Sequence, residues 1–465
     1  MYKKYLPWLF FGFVSLLLFF RIYISQDGLL EGWDESIYAQ LGVEFSKHPD
    51  LVLYYNGQTW LEKPPLIGYI TGIIHLISPY NTVLLRSFFG IVSIANLYLV
   101  WKISKDLVKN NVTALLAPAL VINTYLFLER GITVNTDTLL VLGILGYYAY
   151  RDSFWCKLVF LCIAVWTKSL LGFLPLIIEL AFSYRRLRET KFIKQVSLLI
   201  LVPSIWYIYS FARFGQEFVQ KHFVEQIFSR ASSTLESHSG SWSFYLEFMV
   251  KTAPIASIVF VVTIAISIYL LLNKRFRIVS LSKYQPIVAG LVYLLLISFS
   301  RSKLEWYILP PIYLLSLILP IVFDRFNKIF TRSLLLLLCF LGCLFLAFMP
   351  VFSRNSPQNI ELVSLAKCIS KLPQQNVTLY QSEENINNYF KLIESGGSIS
   401  TTFRYGDNPA FIYYARKSNI IFKYEKPSRE YQSQDQIMVI PKLPTSPAKL
   451  EVKACETKNY TTNII

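Results

Sequence analysis

Asp34 and Glu35 stand side by side in Trp33-Asp34-Glu35-Ser36-Ile37-Tyr38-Ala39-Gln40, and Glu62 and Lys63 follow in Glu62-Lys63-Pro64-Pro65-Leu66. A carboxylate can take a proton from a substrate hydroxyl, and an ammonium can neutralise a phosphate. Each piece alone has a structural reading. Acidic residues favour a helix's first turn, and prolines start helices and fix φ. Together at one water–lipid boundary, they point to a site. Asp137, in Asn135-Thr136-Asp137-Thr138, opens an apolar run. An ionisable group just inside a membrane helix is costly and marks function by default, the alternative being an interfacial Asp that caps its helix. Lys168, Arg301 and Lys303 fall at other helix ends on the same side, and Arg230 lies in the outer loop 213–247 beside Glu225 and Gln226. Snorkelling accounts for any one of them. Convergent cations beside carboxylates suit an anionic substrate such as a phosphate, with a general base next to it.

The scaffold that must hold these residues is a membrane one. Of 465 residues, 54% are hydrophobic and only 16% charged, with a mean hydropathy of +0.43. Soluble domains average roughly 25% charged residues. Apolar runs lie near 7–24, 81–101, 112–128, 132–150, 155–167, 169–184, 195–212, 248–272, 284–300, 305–323 and 333–352. A bilayer core takes about 20 helical residues. The pair at 155–184 is short for two spans. The fold class expected is mainly α, a polytopic bundle of about 11–13 transmembrane helices. No small-residue cleavage site follows the first run in Ser25-Gln26-Asp27-Gly28, so this run reads as a retained helix.

The net charge of +16 does not mark a nucleic-acid binder, because Lys and Arg cluster in short loops between apolar runs. Loops assigned to the cytoplasm carry Lys102, Lys105 and Lys109; Arg185, Arg186, Arg188, Lys191 and Lys194; Lys274, Arg275, Arg277 and Lys283; and Arg325, Lys328 and Arg332. The first outer loop, residues 26–65, is acidic. An odd number of spans then puts the amino end inside and the carboxyl end outside. Two amphipathic segments, opening at Trp33 and over 64–78, are expected to lie flat in the interface, apolar face down.

Residues 1–352 form the membrane domain. Residues 353–465 turn polar and mixed, with runs such as Val377-Thr378-Leu379-Tyr380 and Phe411-Ile412-Tyr413-Tyr414, and read as a small exported α/β domain. Cys156, Cys162, Cys339 and Cys343 lie in apolar runs as small hydrophobes. Cys368 and Cys455 are placed to pair if this domain is exported.

In this order the landmarks resemble the GT-C membrane glycosyltransferases, in the family of protein O-mannosyltransferases and lipid A aminoarabinose transferases. The matching stretches begin with Trp33–Ala39, Leu61-Glu62-Lys63-Pro64-Pro65-Leu66, Arg86 and Thr136-Asp137. Thr167-Lys168-Ser169-Leu170-Leu171-Gly172 is similar to the family's Lys-Gly-Pro-type turn, with Ser169 in place of Gly. His238 with Trp242-Ser243-Phe244-Tyr245-Leu246 and Pro254, and Ser302-Lys303 with Tyr307-Ile308-Leu309-Pro310, complete the series.

The resemblance implies a polyprenyl-phosphate-linked sugar donor and an inverting transfer outside the cytoplasm to a lipid, glycan or protein acceptor. It implies Asp34 as general base, with Glu35 and Asp137 as the other catalytic carboxylates. Lys63 and Arg230, then Lys168 and Lys303, are implied to neutralise the leaving phosphate. Tyr38, Trp60, His238 and Tyr307 are implied to line the substrate. No cofactor is required; a divalent metal ion held by Glu62 and Asp137, as in some relatives, is an open alternative. Gln226 and Ile37 stand where the aminoarabinose subgroup has His and Arg, which argues against that sugar. The expected location is a bacterial inner membrane. The rival reading is a transporter or flippase of lipid-linked saccharides. It fits less well, because no internal repeat is present and the charges sit at the outer boundary rather than the midplane.

Overall fold

Lys157 and Glu179 would be about 33 Å apart on one straight helix, yet Lys157 Nζ lies 2.5 Å from a Glu179 carboxylate oxygen. The apolar run Phe154–Phe182 therefore folds back on itself and is not one long helix. The computed structural model describes residues 2–24, 29–108, 110–229, 232, 240–272, 281–349, 356–380, 387, 408–423, 436–441, 453–457 and 460–464.

The helices run α1 (Tyr2–Ile24), α2 (Asp34–Lys47), α3 (Leu66–Ile77), α4 (Thr82–Val108), α5 (Asn111–Ala114), α6 (Leu116–Val121), α7 (Tyr125–Gly131), α8 (Thr136–Ala149), α9 (Phe154–Lys168), α10 (Leu174–Phe182) and α11 (Thr190–Phe214). A π-helical turn, Val219–Ser229, leads to α12 (Phe244–Thr252), α13 (Pro254–Leu272), α14 (Gln285–Phe299), α15 (Leu309–Ser316), α16 (Ile318–Phe323) and α17 (Lys328–Phe348). Among the described residues, seven helical stretches are long and apolar enough to cross a membrane, or eight if α5–α7, bent by 79°, is one broken span. The protein is an integral membrane protein. The short apolar helices α8 and α13 occupy the runs expected at 132–150 and 248–272.

The ends of the helices fix their direction. Arg21, near the end of α1, donates to Ala347 O at 3.2 Å and Met349 O at 2.7 Å, at the end of α17. First and last membrane helices thus run parallel, as an odd number of crossings requires. Glycines allow the tightest crossing. A Cβ on Gly143 would sit 2.6 Å from Ala164 N, and one on Gly146 2.1 Å from the Phe160 ring. Only α8 without side chains at these points can lie this close to α9.

The first loop folds into α2, a β1–β2 hairpin (Leu53–Tyr55, Gln58–Trp60) and α3. Of the two segments expected flat on the interface, α3 does expose Ile73, Leu76 and Ile77. In contrast, α2 is covered, buried from Glu35 to Val43. The difference comes from its neighbours: Gly42 meets Thr71 and Gly72 of α3 closely, and the C-terminal part closes over α2.

That C-terminal part has α18 (Pro357–Ile369), α19 (Pro409–Ala415) and a five-stranded sheet in the order β4-β3-β5-β7-β6. Here β3 is Asn376–Tyr380, β4 Asn419–Lys423, β5 Gln436–Pro441, β6 Lys453–Glu456 and β7 Tyr460–Ile464. β3 pairs in parallel with β4 and β5, and the other pairings are antiparallel. A disulfide joins Cys368 of α18 to Cys455 of β6. The unit shares a core with the first loop, where Ile37, Leu53 and Trp60 belong with Phe411 and Tyr413. Leu30 N donates to Tyr414 Oη at 2.8 Å, and Asn56 Nδ2 to Ile420 O at 2.8 Å.

Candidate functional site at the first-loop end

The adjacent acids Asp34 and Glu35 have opposite surroundings. Glu35 is 1% exposed and saturated. Arg86 grips it through Nε at 3.2 Å and Nη2 at 2.7 Å. Val134 N donates to it at 2.7 Å and Glu31 N at 2.8 Å. It thereby ties α2 to α4 and to the turn before α8. Asp34, at the first position of α2, is partly open to solvent. The Lys63 ammonium lies 4.0 Å away. Lys63 Nζ in turn donates to Tyr38 Oη at 2.8 Å. Burial, and then the Asp34 charge, push the Tyr38 phenol up to about 12, although Lys63 pulls the other way. Tyr38 thus stays a neutral hydroxyl that positions Lys63 near Asp34.

Asp137 arrives from α8. Asn135 caps that helix, accepting from Thr138 N at 2.8 Å, which sets Asp137 in its first turn. Lys168, at the end of α9, reaches it at 2.5 Å. The same ammonium lies 4.3 Å from the Tyr307 ring centroid. So Asp137, Lys168 and Tyr307 converge, as do Asp34, Lys63 and Tyr38.

Other expected site residues are engaged elsewhere. Lys303 is 4% exposed and donates to Ile297 O at 3.0 Å and to Ser298 O, closing the end of α14. Trp60 is 2% exposed and packs in the loop's core with Tyr55. Arg230 and His238 lie outside the described residues.

The expected metal ligands do not fit a metal. Asp137 is neutralised by Lys168, and Glu62 accepts from Gln226 Nε2 at 3.1 Å. No group of three or more His, Cys, Asp or Glu side chains converges among the described residues.

Two residues not singled out from sequence belong to this end. His222, 1% exposed, shares a hydrogen bond with Ser169 Oγ at 2.9 Å and donates from Nδ1 to Leu61 O at 3.1 Å. It holds the turn after α9 against the Glu62-Lys63 stretch. Burial pushes its imidazole down to about 4. Arg130, at the end of α7, is 2% exposed and lies over the Trp306 ring at 4.2 Å. The available signals were a His close before Glu225-Gln226 and a charged pair, Glu129-Arg130, between two apolar runs.

Fold and site together define a polytopic membrane helix bundle with charged residues gathered at one end, where the first loop and the C-terminal part share a core. No family model matches the chain. It is 27% identical over 264 residues to an uncharacterized protein of Aquifex aeolicus (strain VF5), covering 56% of this chain and 59% of that one. A second uncharacterized protein of that organism is 23% identical over 224 residues, covering 44% and 45%. The chain spans about half the length of these curated relatives. The crystal structure of ArnT from Cupriavidus metallidurans bound to undecaprenyl phosphate matches with a TM-score of 0.68 at 13% identity, covering 98% of each chain. ArnT in the apo state gives the same score and identity, covering 99% of this chain and 98% of that one. The chain therefore has the GT-C membrane fold seen in ArnT.

Proposed function

We propose that this protein is a membrane glycosyltransferase that moves a sugar from a polyprenyl-phosphate donor to an acceptor hydroxyl on the non-cytoplasmic side. The observation that carries this reading is the contrast within Asp34-Glu35. Glu35 has its acceptor capacity spent on Arg86, Val134 and Glu31, whereas Asp34 stays open beside Lys63. The fold shared with ArnT, solved with undecaprenyl phosphate, supports the donor class.

In the proposed step, Asp34 accepts the acceptor hydroxyl's proton. The freed oxygen pair forms the new bond to the anomeric carbon. The bond from that carbon to the phosphate oxygen breaks on the opposite face, and polyprenyl phosphate leaves with the electron pair. Inversion follows from the single displacement. Lys63 and Lys168 stabilise the charge that develops on the leaving phosphate. Glu35 is a positioning residue that fixes α2, and Tyr38 and Tyr307 orient the two ammonium groups. No step passes through a metal.

The Cys368–Cys455 disulfide supports an oxidising, exported location for the C-terminal part. With the basic loops at the other end, this supports an amino terminus in the cytoplasm and a bacterial inner-membrane location.

Mass spectrometry of surface lipids, glycans and proteins from cells with and without the gene tests the proposal. A sugar-sized mass difference on one class, present only with the gene, supports it and names the acceptor. Identical profiles under conditions of expression contradict it.

A further inference from the structure

We propose that Arg130 recognises an oxyanion of the substrate, the phosphate carried by the lipid donor, from a guanidinium preset on the Trp306 ring. The inference deepens the donor reading above and rests on it.

Arg130 is buried, and its Nε and Nη2 make no hydrogen bond. The adjacent Glu129 approaches Nη2 only at 3.5 Å, too far for a strong charge-assisted bond. A buried polar donor left without a partner costs about 1–3 kcal/mol, and more when it is charged. Such a group calls for a functional explanation. The other cations at this end have partners already. Lys168 is on Asp137, Lys303 is on two carbonyls, and Lys63 is on Tyr38. Arg130 brings two unspent nitrogens, and a planar guanidinium matches phosphate in a bidentate way.

Its placement suits the role. Arg130 O accepts from Asn135 Nδ2 at 2.8 Å and Thr138 Oγ1 at 3.2 Å, which ties it to the turn carrying Asp137. Trp306 directly precedes Tyr307, whose ring faces Lys168. Two successive aromatic residues thus each hold a cation, one paired with Asp137 and the other carrying free N–H groups. Stacking restrains the guanidinium before a ligand arrives.

The test uses the purified full-length protein in detergent, with undecaprenyl phosphate, undecaprenol and inorganic phosphate as probes. Binding is read by thermal stabilisation and titration. Wild type is expected to bind undecaprenyl phosphate much more tightly than undecaprenol. Arg130→Gln should weaken that binding by about tenfold or more, with partial recovery in Arg130→Lys. Glu129→Gln/Arg130→Gln removes both charges together, so it remains informative if the single variant unfolds, and it should show the same loss. Binding of inorganic phosphate with the same dependence on Arg130 also supports the oxyanion site and marks a free phosphate as a second source. If the double variant binds undecaprenyl phosphate as tightly as wild type, the role of Arg130 is overturned and the donor reading stands. If wild type does not bind undecaprenyl phosphate, the donor reading falls and Arg130's role falls with it.

Discussion

Ser169 Oγ lies 2.9 Å from His222 Nε2, and Ser169 has a φ of 52°. That φ favours glycine, and residues with a Cβ adopt it at a cost. The sequence puts Ser where the resembling family puts Gly, and the hydroxyl has a use that glycine lacks. It fastens the turn that follows Lys168's helix to His222, which in turn holds Leu61.

Ser169→Gly should therefore relieve the backbone and lose the hydrogen bond together, leaving stability within about 1 kcal/mol of wild type. Ser169→Ala keeps the strain and loses the bond, so it should be the less stable of the two. Thermal unfolding in detergent gives the order; the reverse order would rule out strain at this position.

His222 should make stability depend on pH. Its pKa in the folded protein, about 4, lies below the ordinary 6.5. The unfolded chain therefore binds the proton first as pH falls. Stability is fully present above about pH 6.5 and declines towards pH 4, by up to about 3 kcal/mol, levelling off below. His222→Gln should remove this part of the pH dependence. Melting curves of both proteins between pH 7 and 4 that stay parallel would contradict it.

Glu35 and Arg86 should behave as one structural unit. Removing either leaves a buried unpaired charge, so Glu35→Gln or Arg86→Met should cost about 3–5 kcal/mol. The double variant should cost less than the sum of the two. A double-mutant cycle that gives simple additivity would show that the two residues do not act together.

The side of the membrane is open to direct labelling. Gln58 is exposed in the first-loop hairpin and Arg186 at the opposite end. A membrane-impermeant thiol reagent applied to intact cells should label Gln58→Cys and spare Arg186→Cys. The reverse pattern would invert the proposed topology.

Much of the architecture was legible because lipid imposes long apolar runs and loop charges mark sides. The fold-back within 155–184 could not be drawn from the sequence. Its proof, the Lys157–Glu179 pair, is a long-range contact. The covering of α2 was hidden for the same reason. A helix with polar residues near an interface reads as lying on lipid until a second domain closes over it. Within the site, Asp34, Lys63, Asp137 and Lys168 were visible as charges at one boundary. Glu35 looks the same as Asp34 in the sequence, and its partners, above all Arg86, 51 residues away, separate them. Trp60, two residues before Glu62, is an aromatic whose place in the core the local sequence does not distinguish from a place beside a ligand. His222 and Arg130 matter through contacts with Leu61, Ser169 and Trp306, and no local pattern announces those.

The central claim is that Asp34 takes the acceptor's proton while Glu35 only holds the loop. The most direct measurement is single-turnover sugar transfer by Asp34→Asn, alongside its binding of undecaprenyl phosphate and its melting temperature. The expected result is a folded protein that binds the lipid as wild type does and transfers sugar at least about 10²-fold more slowly. Transfer at the wild-type rate by that folded variant would contradict the account.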